Sequence, residues 1–204
     1  MNDLFVQLRQ AHRICSSAYN RIFPLLEQIP ESLDVDFEHW FPFSYAEIKS
    51  RKKPIFNQYG EAFLALYDSI HIYSRRSQKT LVTPGTACVV GVRFVMDADG
   101  AVDITDRIDT FNERAGKDLH TDPEKSRSLV IFYIYRPARK MKITDVLEDL
   151  FNYTGDYPLP GRKTFVLNER IQVANLVFDM SEWVEDSAKI LKKVRKFIDS
   201  DIAG

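Results

Sequence analysis

Glu47-Ile48-Lys49 is the stretch of this 204-residue chain that comes nearest to a catalytic triplet. Metal-dependent nucleases use such an acid-x-lysine set on a strand. The carboxylate binds a divalent cation and the lysine positions the attacking water. That chemistry needs another acidic residue on an adjoining strand. Here only Asp34, Asp36 and Glu38 lie upstream, and the triplet falls in a segment that reads as a short helix capped by Ser44. A solvated helix face explains it better than a metal centre.

His120-Thr121-Asp122 could orient an imidazole or hold a metal, but no HxxxH and no cysteine pair accompanies it. Asp97, Asp99 and Gly100 begin something like a calcium loop. Asp103, Asp106 and Asp109 then miss the alternating spacing, and no Glu stands at the twelfth position. No Ser lies in a GxSxG elbow and no Gly-rich phosphate loop occurs. The sequence therefore predicts no catalytic residue, no metal ligand and no cofactor.

Charge and aromatic side chains offer more. Basic residues gather at Lys49, Arg51, Lys52 and Lys53, at Arg75, Arg76 and Lys79, and at Arg136, Arg139, Lys140 and Lys142. Tyr73 and Tyr135 precede the second and third clusters, so adjacent strand ends would form a positive rim able to hold phosphate or stack bases. The competing account is that Lys and Arg protect and solubilise strand ends. Between 97 and 124 the balance reverses, with nine acidic residues against three basic ones. Blocks of opposite sign within a net charge of −1 suit recognition of a charged partner or self-association. Trp40, Phe41 and Tyr45, in the aromatic run between 37 and 59, are candidate anchors for such an interface.

The elements that would position these groups follow from periodicity. Apolar residues at spacings of three and four from Leu4 to Ile29 predict a helix over residues 2–29, interrupted at Pro24 and closed by Pro30. Residues 31–60, rich in aromatics and Pro, read as irregular. Residues 63–73 and 87–96 are rich in strand formers. Leu129 to Tyr135 is apolar on both faces, as in a central strand. The turn at 97–100 predicts a hairpin between residues 93–96 and 101–104, followed by a short helix over 106–115. Residues 144–152 read as a helix capped by Thr144, and residues 164–167 and 171–178 as strands. A helix over 179–200 should be capped by Asp179 with Glu182 as its reciprocal partner.

These elements predict one α+β domain over 1–204, a mainly antiparallel sheet of about five to six strands flanked by N-terminal and C-terminal helices. Two isolated cysteines, Cys15 and Cys88, predict a reducing compartment. The lack of a secretory signal and of any apolar run near a membrane span's length predicts a cytoplasmic protein with no membrane association. The leading expectation is a noncatalytic protein-binding domain: an adaptor, inhibitor or immunity-type partner. It would use Trp40, Phe41, Tyr45, Arg75, Arg76, Asp103, Asp106, Asp109, Arg136, Arg139 and Lys140 toward a protein or a second copy. The alternatives are a nucleic-acid-associated domain using the basic strand ends, then a divalent-metal hydrolase or nuclease built on Glu47 and Lys49 or on His120 and Asp122.

Overall fold

The structure, a computed structural model, describes residues 2–42, 68–78, 80–96, 124, 126–152, 164–167 and 169–200. Five helices are described: α1 (Asn2–Leu26), α2 (Ile29–Leu33), α3 (Ile143–Phe151), α4 (Met180–Glu185) and α5 (Ser187–Asp199). The strands are β1 (Val35–Pro42), β2 (Asp68–Arg75), β3 (Leu81–Val82), β4 (Val89–Val95), β5 (Leu129–Pro137), β6 (Met141–Lys142), β7 (Thr164–Leu167) and β8 (Ile171–Asp179). Six of them form one antiparallel sheet in the order β1-β2-β4-β5-β8-β7, while β3 and β6 pair separately. This is the α+β arrangement that the pattern predicts.

The run at 129–135 behaves as its composition requires. All nine residues of β5 are buried, and the strand pairs with β4 on one side and β8 on the other. Side chains alternate between two cores. Ile131, Tyr133 and Tyr135 join Ile70, Ile72 and the α3 residues Val146 and Leu150. Val130, Phe132 and Ile134 join Phe94, Trp183 of α4, Leu191 and Val194 of α5, and Ile22 of α1. The terminal helices thus cover one face of the sheet and α3 packs on the other.

Several local expectations are corrected. Residues 31–42 are not irregular: Pro30 opens α2, where its missing N–H costs nothing, and Val35–Pro42 is a strand. A register shift between Phe37 and His39 hides that strand from a period-two reading. Pro24 lies inside α1 near its last turn, and the helix runs on to Leu26. Helix α3 starts at Ile143 with Lys142 at the cap position, so Thr144 is not the cap. The C-terminal helix breaks at Asp186, whose carboxylate accepts from the Lys189 N–H at 3.0 Å. Asp179 makes no side-chain cap bond; its Oδ1 accepts from Arg127 at 2.7 and 3.0 Å instead. The predicted partner strand at 101–104 and the helix at 106–115 lie outside the described residues. Both edges of β4 are already paired along its length, with β2 and β5, which leaves no edge at 93–95 for a hairpin.

Candidate partner-binding surface

Among the described strands β1 is an edge of the sheet, and its bulge decides which side chains reach solvent. By shifting the alternation, it puts Phe37 and Trp40, three residues apart, on one side, and His39 and Phe41 on the other. Phe41 packs on the α3 core, with its ring 6.3 Å from that of Phe151, and His39 lies edge-on to the same ring at 5.5 Å. Phe37 and Trp40 stay 52% and 46% exposed. Of two aromatics adjacent in sequence, one serves the core and the other faces water.

The exposed rings rest on a rigid floor. Trp40 stacks on His71 of β2 with centroids 6.1 Å apart and planes at 21°. His71 is held in turn by the edge of Phe94 at 5.6 Å, and Phe37 meets Tyr73 at 5.7 Å and 72°. Burial lowers the His71 pKa to about 4, so the imidazole under Trp40 is neutral at pH 7. Among the described residues, His71 Nε2 and Ser69 Oγ have no hydrogen-bond partner. Burial likewise pushes the Tyr73 hydroxyl pKa up.

The arginines predicted to form a positive rim do reach one end of the sheet. Arg75 ends β2, Arg136 lies near the end of β5, and Cys88 before β4 bridges the two strands by backbone bonds. Their donors, however, point back into the chain. Arg136 Nη2 donates to the carbonyls of Phe197, Ile198 and Ser200 at 3.0, 3.3 and 3.3 Å, and its guanidinium lies 5.7 Å from the Phe197 ring. It holds the C-terminal end of α5, where the helix dipole favours a cation. Arg75 pairs with Asp199 at 3.3 Å. Arg76 meets Asp36 at 2.8 Å, Glu31 at 2.9 Å and Asp34 at 3.9 Å. Its hydrogen bond and charge lower the Glu31 pKa. Arg139 and Lys140, between β5 and β6, are exposed. Tyr45, Asp103, Asp106, Asp109, Glu47, Lys49, His120 and Asp122 lie outside the described residues.

One polar cluster escaped sequence reasoning. Arg93 is fully buried and grips the buried Asp68 through two bonds, Nε to Oδ1 at 2.7 Å and Nη2 to Oδ2 at 2.8 Å. Burial works against the Arg93 charge, but the Asp68 hydrogen bonds and charge outweigh it and raise the pKa. Burial raises that of the neighbouring Tyr133 against the pull of Arg93. Gly91, two residues before Arg93 on β4, gives room to other side chains: a Cβ there would meet Ile70 Cδ1 and Tyr135 Cε2 and Oη at 3.2 Å each. The one signal in sequence was a lone arginine inside the strand VVGVRFV. Both members of the pair are buried, so it reads as a strut. Cys88 is as enclosed; burial raises its pKa to about 12, which keeps the thiol protonated and unreactive.

Among the described residues, no group of three His, Cys, Asp or Glu side chains could hold a metal ion. No described helix is long and apolar enough to cross a membrane. The family model PM0109 matches residues 1–165, from α1 to the middle of β7. No curated protein and no solved structure matches the chain.

Proposed function

The chain belongs to the PM0109 family, and we propose that it is a noncatalytic, cytoplasmic protein-binding domain of adaptor, inhibitor or immunity type. Its partner docks on the aromatic side of β1, with Trp40 as the anchor. The observation that carries this reading is a tryptophan left 46% exposed on a strand paired along one side with β2, its ring backed by a neutral imidazole. A large ring already held in place gains contact area on binding with little loss of side-chain freedom, which is why Trp is over-represented among residues that dominate binding. Asp36 and Glu38 of the same strand are held by Arg76 and by the Ser74 hydroxyl. Asp103, Asp106 and Asp109 supply an acidic element to the same reading.

Affinity capture with Trp40→Ala tests the proposal. Truncating an anchor costs at least about 2 kcal/mol of binding, or about thirtyfold in affinity. Capture should therefore fall for Trp40→Ala while Phe41→Leu, on the core side, retains it. Undiminished capture by Trp40→Ala overturns the assignment. Replacing Asp103, Asp106 and Asp109 together by Asn should weaken capture further, most visibly at low salt.

A further inference from the structure

Helix α1 extends beyond the surface it packs on. In its second half, Ile22 is buried and Cys15, Ala18, Tyr19, Leu25 and Leu26 are half-buried. Over residues 5–14 every side chain is exposed, including Phe5 at 55%, Leu8 at 50% and Ile14 at 69%. Positions 8, 11, 15, 18, 22 and 25 alternate steps of three and four, the 3.5-residue period of a coiled-coil seam. At about 100° per residue, Leu8 and Ala11 continue the line of Cys15, Ala18 and Ile22, with Phe5 and Ile14 at its two rims. The uncovered stretch prolongs an interface that the chain already uses.

Charge narrows the choice of occupant. No Asp or Glu occurs from residue 5 to residue 26, and Arg9 and Arg13 fall on the half of the helix opposite the seam. An anionic lipid surface or an acidic protein would draw on cations beside the apolar arc; here they point away. The seam has His12 as its one flanking ionisable side chain over residues 5–14, so a second copy meets it with little like-charge cost. Side-chain sizes agree, because in an antiparallel pair Leu8 of each chain falls opposite Ala11 of the other, large against small.

We propose that a second copy of this chain covers the seam, the two α1 overhangs packing antiparallel with Leu8 against Ala11 across the pair. An interface confined to so short a stretch of one helix falls at the small end of specific contacts, so the dimer is weak and reversible.

Sedimentation velocity of the intact chain over a dilution series tests this. The mass should move reversibly between one and two chains. Leu8→Lys combined with Ile14→Lys should hold it at one chain at every concentration. Arg13→Ala, on the opposite half, should leave the transition in place. Leu8 and Ile14 are exposed in the single chain, so the double variant keeps its helical circular dichroism. A wild-type chain that stays monomeric throughout, or a double variant that still dimerises, overturns the proposal. Orientation is read from cysteines in a Cys15→Ser background, Cys88 being buried. Leu8→Cys chains should form a disulfide with Ala11→Cys chains; Leu8→Cys chains linking only to themselves would contradict antiparallel packing. None of these readouts depends on Trp40, so failure of the dimer and failure of the β1 surface are told apart.

Discussion

The arginine end of the sheet and the aromatic side of β1 are both surfaces that sequence composition marks for binding, yet they are built in opposite ways. At the arginine end, Arg75, Arg76 and Arg136 turn their donors to Asp199, to three carboxylates and to the carbonyls closing α5. On β1, Phe37 and Trp40 carry rings that the fold supports from below and leaves uncovered above. Charge at the arginine end joins the chain's own elements, while apolar surface on β1 and α1 is left outward. A cluster of like charges in sequence is therefore a poor guide to a binding face until its counter-charges have been located.

Substitutions can break or sharpen that contrast. The largest stability effect belongs to the fully enclosed pair, where charge acts without screening. Asp68→Asn removes the carboxylate charge that grips the buried Arg93, and should cost about 3–5 kcal/mol by chemical denaturation. Replacing both residues by apolar side chains of similar volume should restore most of that. At the arginine end, Arg136→Ala removes charged bonds to α5 and should cost about 2 kcal/mol. Arg76→Ala, among exposed carboxylates, should cost less than about 1 kcal/mol and still less in high salt. An Arg76 effect as large as that of Arg136 would blur the distinction.

The floor beneath Trp40 makes a pH prediction. His71 is neutral when folded, with its pKa lowered by burial to about 4, against 6.5 in the unfolded chain. Between those values the unfolded state binds the extra proton, so stability is full above pH 6.5 and falls as pH drops toward 4, by at most about 3 kcal/mol. His71→Phe should flatten that part of the profile. An unchanged slope would mean that His71 is not enclosed as described.

The sheet was legible because its central strand is apolar on both faces, and the helices because their spacings are regular. What stayed hidden has two causes, a break in periodicity and contacts made far apart in sequence. The bulge at Phe37 and His39 made β1 look irregular and concealed that Trp40 and Phe41 part company. Asp186 splits what reads as one helix, and its cap role cannot be told from that of Asp179 by residue type. The Arg93–Asp68 pair joins residues 25 positions apart, and the lone arginine within β4 gives no hint of its partner. Arg136 illustrates the limit for function: in sequence it is one of a basic cluster, and only its meeting with α5, more than 60 residues onward, shows what its donors do.

The most direct test of the β1 surface uses Trp40 as its own reporter. In a Trp183→Phe chain Trp40 is the one remaining indole, because the sequence holds two tryptophans and Trp183 is buried. Its fluorescence should be open to acrylamide in the free protein, and should shift to the blue and become shielded when a captured partner is added. A partner that binds while Trp40 stays equally quenchable would contradict the account.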